Sequence, residues 1–175
     1  MTYTKEEIKL LWDNLELCVP FNGRDICPVD TILIMIYTGM RPEELLKVKN
    51  EDIHLEERYI MVCDSKNGSK RIVPIHEDIY PLIKKRKETT GKYFFEYETD
   101  TPPTLQQYRS QCFKPIMLKL DIKHTLQESR HTFIEMANKY IMQPNEITGF
   151  AVRNSKTPEE LVKEINKIEF VKRNK

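Results

Sequence analysis

The chain has 175 residues, of which 31% are charged and 39% are hydrophobic, and its formal net charge is +1. This composition excludes an intrinsically disordered chain, and the length suits a single domain with a sizeable core. No apolar run approaches the ~20 residues that a membrane-spanning helix needs, and the opening MTYTKEEIKLLW lacks a signal-peptide pattern, so we expect a cytoplasmic protein.

The small net charge conceals an asymmetry along the chain. Residues 1–62 carry 7 Lys/Arg and 12 Asp/Glu, whereas residues 63–175 carry 21 and 15. Two basic runs, KKRK at 84–87 and KRNK at 172–175, lie in the second part. Such runs more often form a solvated helix face than a nucleic-acid-binding surface, so both interpretations stay open.

The cysteines and histidines show no metal-binding pattern. Without a C-x-x-C pair, the cysteines predict reduced core thiols instead of a zinc site or a disulfide framework. We therefore predict neither a metal nor a cofactor. The residues concerned are Cys18, Cys27, Cys63, Cys112, His54, His76, His124 and His131.

The first elements are two helices separated by a loop. Thr4 opens the first helix with the capping box TKEE, and VPFNGRDICP (19–28) is predicted to be a loop. The run from Val29 to Tyr37 is too apolar for a surface helix. Gly39 ends it, and Pro42 suits the first turn of the next short helix.

A β-hairpin and three further helices follow. RYIMVCD (58–64) and KRIVPIH (70–76) are β-rich and joined by an Asn-Gly turn, and KYFFEYE (92–98) is either a third strand or a loop. Helices are predicted over 77–87, over 105–120 with a disturbance at Pro115, and from Leu126 to Tyr140 after a capping box at Thr125. A last capping box, TPEE (157–160), begins a C-terminal helix.

Three motifs now stand in a definite order: TGMRPEEL (38–45), SKNGSKRIVPIH (65–76) and SRHTF (129–133). Together they resemble the catalytic domain of the tyrosine recombinases, the integrases of phages and mobile elements. The resemblance covers nearly the whole chain. It implies one catalytic-like domain over 1–175, without an N-terminal core-binding domain. The implied fold is α+β and mainly helical, with a small antiparallel three-stranded sheet.

The resemblance also implies a function, namely site-specific breaking and rejoining of DNA strands without a metal. Arg41 and Arg130 match the two arginines that clamp the phosphodiester. A guanidinium suits this role because it stays charged and its paired N–H groups match phosphate geometry. The implied partners are double-stranded DNA with an attachment site and further copies of the chain assembled on it, in a bacterial cytoplasm. Neither a membrane nor a small-molecule substrate is implied.

Several assignments within these motifs stay open. Lys66 matches the family lysine that acts as general acid, while Lys70 and Arg71 compete for that role and are candidate DNA contacts. Arg41 could instead cap a helix and pair with Glu44, although we expect Glu44 to orient Arg41 for binding. Arg130 could be a surface charge of its helix.

Two departures from the family pattern concern catalysis. Gln127 stands where the family has a histidine, and glutamine can donate a hydrogen bond to a phosphate but cannot carry a proton near neutral pH. We expect His131, nearby, to be structural. Arg153 stands where the nucleophilic tyrosine belongs, and Ser155 stands where a histidine belongs.

The nucleophile is therefore predicted to be missing. After Arg130 only Tyr140 remains, and ten residues of helix separate the two by ~15 Å. The first hypothesis is a recombinase catalytic domain, and the second is a relative that binds DNA without catalysis. The third is an interaction module whose C-terminal helix docks on a neighbouring protomer.

Overall fold

A computed structural model describes residues 1–63, 68–95, 101–140 and 156–171. In chain order the elements are α1 (Lys5–Asp13), β1 (Val19–Phe21), β2 (Arg24–Ile26), α2 (Val29–Thr38), α3 (Pro42–Lys47), a 3₁₀ turn (Asn50–Asp52), β3 (Ile53–His54), β4 (Tyr59–Cys63), β5 (Lys70–Pro74), α4 (Tyr80–Thr89), α5 (Leu105–Gln107), a π-helical turn (Tyr108–Phe113), α6 (Lys114–Lys119), α7 (Leu126–Tyr140) and α8 (Pro158–Ile165). The predicted mainly helical α+β fold is confirmed.

Capping residues set the starts of the helices as their sequences predict. Thr4 accepts a hydrogen bond from the backbone N–H of Glu7, whose carboxylate accepts one from the Thr4 backbone. Thr157 and Glu160 repeat this arrangement at the start of α8. Each box satisfies backbone donors that a helix end otherwise leaves unpaired, so these starts are encoded locally.

Helix α2 is the centre of the core. All of its residues except Asp30 are buried, which confirms the prediction from its apolar sequence. It ends at Gly39, whose φ of +64° is a left-handed conformation that glycine adopts without steric cost. The chain then turns directly into α3, with Arg41 at the junction.

The main sheet has the order β3–β4–β5, with both pairs antiparallel. The predicted hairpin forms β4 and β5, but the third strand comes from Ile53–His54 and not from the described part, 92–95, of the segment predicted as a strand or a loop. In that later segment, Phe94 and Phe95 are buried in the core, and only Tyr93 forms an isolated bridge, to Lys49. Residues 96–100 lie outside the described part of the chain.

The segment 19–28, predicted to be a loop, contains a second antiparallel hairpin, β1–β2. Its two turn residues, Asn22 and Gly23, have φ of +49° and +84°. Positive φ at both positions is the requirement of the tightest hairpin turns, for which Asn-Gly is the preferred pair. The prediction was wrong because the same dipeptide signal that revealed β4–β5 was overlooked here.

That hairpin also overturns the prediction of four reduced core thiols. Cys18 and Cys27 flank its two strands, and their Cα atoms lie 4.0 Å apart in a disulfide. Their separation along the chain gave no sign of this pairing, because the hairpin brings its ends together. Cys112 is a buried thiol as predicted, whereas Cys63 is exposed.

Two helices differ in detail from their predictions. Helix α4 begins at Tyr80, three residues later than predicted. The irregularity in the 105–120 region is a π-helical turn over Tyr108–Phe113, and Pro115 falls in the first turn of α6. This irregular turn precedes the proline, which lacks an N–H donor and whose ring would clash with the preceding turn of a regular α-helix.

The basic run 84–87 is only partly a solvated surface. Lys84 and Lys85 are exposed, but Arg86 is buried and its Nε and Nη2 atoms donate to Asp30 over 2.8 and 2.7 Å. Lys87 donates to two backbone carbonyl oxygens. Two of the four residues of the run thus make contacts within the protein. The run is therefore neither a fully solvated helix face nor a continuous basic surface for DNA.

Helix α8 and the residues after it pack into the core of their own chain. Leu161, Ile165, Ile168 and Phe170 are buried, and the ring of Phe170 stacks on Tyr37 with centroids 4.0 Å apart. The apolar side of this segment is therefore covered within the chain, contrary to the hypothesis that it docks on a neighbouring protomer. No helix in the described ranges is both long and apolar enough to cross a membrane.

Candidate functional site

Arg41 lies at the N-terminus of α3, where its backbone and side chain both contact Glu44. Its backbone N–H donates to Glu44 Oε2 over 2.7 Å, and its Nη1 donates to Glu44 Oε1 over 3.0 Å. The side chain nevertheless remains 42% exposed. Arg41 thus caps the helix, pairs with Glu44 and still faces solvent, so the capping alternative and the binding alternative are geometrically compatible.

Glu44 is the buried centre of the cluster, with only 4% of its side chain exposed. Oε1 accepts from Arg41 Nη1 and from Arg71 Nη1, and Oε2 accepts from the Arg41 backbone and from Arg71 Nη2. Burial raises the pKa of this carboxyl, but the hydrogen bonds and charges of Arg71 and then Arg41 outweigh burial, and the pKa lies below its ordinary value. Glu44 is therefore an ionised anchor with its acceptor positions filled, and it is not a free base.

Arg71 reaches Glu44 from the sheet. Its Nη1 and Nη2 atoms donate to the two carboxylate oxygens over 2.8 and 2.9 Å, which is the bidentate geometry that guanidinium and carboxylate groups favour. Only 11% of its side chain is exposed. Arg71 was predicted to contact DNA, but its side chain points into the protein. There it links β5 to the start of α3 through Glu44.

Arg130 approaches the same place from α7. Its side chain is buried, and Nη1 donates to the carbonyl oxygen of Gly39 over 2.5 Å. Burial, together with the positive charges of Arg41 and Arg71, lowers its pKa to about 10, while the charge of Glu44 opposes the shift. Arg130 is thus not a surface charge, and it stays protonated at neutral pH within electrostatic reach of the other three residues.

Gly39, which the sequence predicted only as the end of a helix, allows Arg130 to approach Arg41. A Cβ atom at this position would lie 2.4 Å from Cδ1 of Phe133, one turn after Arg130 on α7. The absence of a side chain lets α7 approach the end of α2 closely enough for the Gly39 carbonyl to meet Arg130. The position of Gly39, two residues before Arg41, is the sequence feature that could have indicated this role.

The remaining predicted site residues are not drawn into this cluster by any contact within the described ranges. Gln127 is exposed on α7, one turn before Arg130. Lys70 is exposed at the start of β5, and because side chains alternate along a strand, it points away from the face that Arg71 occupies. Lys66 lies outside the described residues, so its predicted role stays a prediction.

The structure also places Tyr140 and His131, two residues considered in the prediction that the nucleophile is absent. Tyr140 ends the same helix that carries Arg130, and the ten helical positions from one to the other correspond to ~15 Å. His131 is exposed on α7, which does not match its predicted structural role. Arg153 and Ser155 lie outside the described residues.

The cluster can hold an anion. Arg41 and Arg71 pair with the Glu44 carboxylate and Arg130 lies within electrostatic reach of it, which leaves a local charge of +2 at neutral pH. The Arg41 side chain contacts Glu44 through Nη1, and within the described ranges its Nε and Nη2 atoms have no hydrogen-bond acceptor. Fixed donors with excess positive charge suit a phosphate oxygen. By contrast, no described group of three or more His, Cys, Asp or Glu residues could hold a metal ion.

A cavity lies elsewhere in the described part of the chain. A half-open groove of about 580 Å³ lies between the β1–β2 hairpin and α4, and Asp30 and Arg86 are among its lining residues. None of the four residues of the arginine cluster lines it. The groove therefore does not extend the candidate site.

Sequence comparisons relate the chain to DNA recombinases. The model of the family described as "Phage integrase family" matches residues 2–143. Tyrosine recombinase XerA of Pyrococcus furiosus is 30% identical over 140 residues, which are 74% of this chain and 45% of that protein. Tyrosine recombinase XerH of Campylobacter jejuni is 28% identical over 163 residues, which are 87% and 46%. The chain thus spans slightly less than half the length of these curated relatives.

Comparison of structures gives the same fold. The integrase of mycobacterium phage Brujita superposes with a TM-score of 0.70 at 15% identity, covering 98% of this chain and 59% of that one. The integrase of transposon Tn1549, in complex with a circular intermediate DNA, superposes with a TM-score of 0.67 at 19% identity, covering 85% and 57%. These similarities confirm the predicted fold class.

Proposed function

This chain belongs to the phage integrase family, and from that premise we propose that it is the catalytic-type domain of a site-specific DNA recombinase. In this proposal it clamps one phosphodiester of double-stranded DNA between Arg41 and Arg130. The observation that carries the proposal is the convergence of the half-exposed Arg41 and the buried Arg130 on the junction that begins at Gly39.

Each arginine has a distinct part in the clamp. Arg130 is fixed by burial and by its bond to the Gly39 carbonyl, so it offers a preorganised positive charge. Arg41 is held at one nitrogen by Glu44 and presents the rest of its guanidinium to solvent. When a phosphodiester is attacked, negative charge builds up on its oxygens, and a preorganised donor of this kind contributes ~3–4 kcal/mol to the transition state.

The other site residues extend this proposal. Lys66, which lies between β4 and β5 in the sequence, would donate a proton to the leaving 5′ oxygen, as the family resemblance implies. Gln127 would donate a hydrogen bond to a phosphate oxygen from one turn before Arg130, and Lys70 would contact the backbone outside the clamp. We further propose that copies of the chain assemble on the attachment site, in a bacterial cytoplasm.

A second candidate function is DNA binding without strand cleavage. It is favoured by the position of Tyr140, which lies ten helical positions (~15 Å) from Arg130. The family resemblance also implies that Arg153 stands where the nucleophilic tyrosine belongs. Arg41 and Arg130 would then serve as phosphate contacts that give a salt-dependent affinity of low sequence specificity.

One assay separates the two functions. The protein is incubated with nicked suicide duplexes that carry an attachment site of its element, and covalent protein–DNA adducts are sought on denaturing gels. We expect non-covalent binding that weakens steeply between 50 and 200 mM salt, roughly as counterion release predicts for several phosphate contacts, and no adduct. An adduct would establish strand cleavage and exclude the second candidate, and a lack of any DNA binding would contradict both.

A further inference from the structure

The inference concerns Arg71, which sequence patterns group with Lys70 as a candidate DNA contact. We propose that Arg71 is a positioning residue: it acts through Glu44 to hold Arg41 toward the DNA and does not contact the DNA itself. The proposal rests on the DNA-clamping function proposed above. Arg71 would thus have a positioning role, although it is not one of the two arginines of the proposed clamp.

The orientation of Arg71 supports this role. Residue Arg71 stands opposite Val62 in the β4–β5 register, and its side chain reaches inward to α3. Both terminal nitrogens donate to Glu44, and Nε is buried without a hydrogen-bond partner in the described part of the chain. With only 11% of the side chain exposed, little of the guanidinium is left to reach a phosphate.

The geometry at Glu44 shows how Arg71 can act on Arg41. Because Arg71 takes one position on each carboxylate oxygen, Arg41 receives a single side-chain bond, through Nη1. An isolated Arg41–Glu44 pair could close into the bidentate form, which would occupy two nitrogens of Arg41. Arg71 thus fixes the plane of the carboxylate and keeps the remaining donors of Arg41 open.

Arg71 also determines the charge that a ligand meets. Arg41 and Glu44 alone form a neutral pair, and Arg71 adds the positive charge that Glu44 would otherwise remove from the site. Glu44 is deeply buried, so this compensation takes place at low dielectric, where charges interact strongly. Arg71 therefore lets Arg41 present its positive charge to an anion, so the effect of Arg71 on binding depends on Arg41.

Lys70 provides the matched control. It is the adjacent residue on β5, carries the same charge and is exposed, but it points to the opposite face of the strand. A direct DNA contact at this hairpin would be made by Lys70 more readily than by Arg71. Replacing Lys70 should therefore affect binding independently of Arg41.

The test is a double-mutant cycle on the affinity for a fluorescent 30-base-pair duplex at several salt concentrations. It compares the unmodified protein with Arg71→Ala, Arg41→Ala and the double variant, and repeats the cycle with Lys70→Ala. We expect Arg71→Ala to weaken binding about tenfold when Arg41 is present and less than twofold when Arg41 is absent, a coupling typical of residues that share one network. We expect Lys70→Ala to have the same effect in both backgrounds.

The salt dependence gives a second readout. If Arg71 acts through Arg41, its replacement lowers the salt slope by about one in the unmodified background and leaves it unchanged in Arg41→Ala. Equal losses of affinity and slope in both backgrounds would show a direct phosphate contact and overturn the proposal. An unchanged affinity with Arg41 present would overturn it too.

A conservative variant keeps the test valid if Arg71→Ala does not fold. Arg71→Lys retains the charge beside Glu44 but loses the paired donors, and the same dependence on Arg41 is expected. The thermal midpoint of each variant shows that it is folded at the assay temperature. If the unmodified protein does not bind DNA, or if Arg41→Ala leaves its affinity unchanged, the proposed clamp fails, and that result is distinct from failure of the role of Arg71.

Discussion

Arg130 donates a 2.5 Å hydrogen bond to the carbonyl oxygen of Gly39, a residue 91 positions earlier in the chain. Since Arg41 follows Gly39 by only two residues, this bond joins the two halves of the candidate clamp at a single backbone turn. The turn exists because Gly39 adopts a φ of +64° and lacks the Cβ atom that would meet Phe133. The site is thus built from a glycine conformation, a buried carboxylate and three cations.

Replacing Gly39 with alanine should destabilise the protein and weaken DNA binding together. The added Cβ would lie 2.4 Å from the ring of Phe133 at a residue with positive φ, so the clash and the backbone strain add. We expect a loss of about 2–4 kcal/mol in the free energy of unfolding, measured with urea.

Gly23→Ala is the control for the strain at Gly39. Gly23 also has a positive φ, of +84°, but nothing lies within 4 Å of an added Cβ. It should therefore cost only about 1 kcal/mol and leave DNA affinity unchanged. Equal losses for the two variants would show that the approach of Phe133 to Gly39 does not matter.

Arg41→Ala and Arg130→Ala should differ in their effect on folding. Arg41 is 42% exposed, so its removal should lower DNA affinity at least tenfold while shifting the thermal midpoint by only a few degrees. Arg130 is buried and bonded to Gly39, so its removal should reduce both affinity and stability. A large loss of stability in Arg41→Ala with unchanged affinity would identify Arg41 as a structural cap.

The ion pairs of Glu44 should make stability depend on pH in the acid range. The folded-state pKa of this carboxyl lies below its unfolded value, so its contribution is complete above the unfolded value of 4.5 and is lost as the pH falls through the folded value. At pH 7, Glu44→Gln should cost about 3–5 kcal/mol, chiefly because the buried guanidinium of Arg71 loses its counter-charge.

The difference between the unmodified protein and Glu44→Gln should shrink as the pH falls below 4.5. Urea unfolding at pH 7, 5 and 3 measures it. Glu159, an exposed carboxylate of α8, supplies the control: Glu159→Gln should leave the pH dependence unchanged. A constant difference between the proteins across this range would contradict the assignment of Glu44 as an ionised anchor.

His76 should make the C-terminal segment sensitive to acid. It is buried, its Nδ1 accepts from the Asp78 backbone, and its Nε2 therefore donates to the Ile168 carbonyl over 3.0 Å. Burial lowers its pKa, although Asp78, the Ile168 carbonyl and Glu77 oppose the shift. A depressed folded pKa means that the stabilisation is present above the ordinary value of 6.5 and is lost as the pH falls below it.

Hydrogen exchange of residues 158–171, measured at pH 7.5 and pH 5 and corrected for the intrinsic pH dependence, tests the role of His76. We expect protection to fall at pH 5 in the unmodified protein and in His131→Gln, whose histidine is exposed. His76→Gln should remove most of the difference between the two pH values. Unchanged protection in the unmodified protein would show that His76 does not control this segment.

The parts of the fold that the sequence predicted are those with local causes. The capping boxes at Thr4 and Thr157 involve residues three apart, and the apolar run from Val29 marks a buried helix without reference to any other segment. The β1–β2 hairpin was equally local and could have been found from Asn22-Gly23. The third strand could not be predicted in this way, because the two residues of Ile53–His54 are too few to show the alternation of apolar and polar side chains that marks a strand.

The residues of the candidate site could be predicted from the sequence, but their arrangement in space could not. The three motifs identified Arg41, Arg71 and Arg130, but no local pattern distinguishes a cation that faces DNA from one that faces a carboxylate. The inward turn of Arg71 depends on Glu44, 27 residues away, and the burial of Arg130 depends on Gly39. Such long-range pairings appear only when the elements are packed.

The most direct test of the account is a crystal structure of the protein bound to a duplex that carries its attachment site. We predict that Arg41 and Arg130 both donate hydrogen bonds to oxygens of the same phosphate, while Arg71 keeps both of its bonds to Glu44. Contact of Arg41 and Arg130 with different phosphates, or a duplex bound to another face of the molecule, would contradict the account.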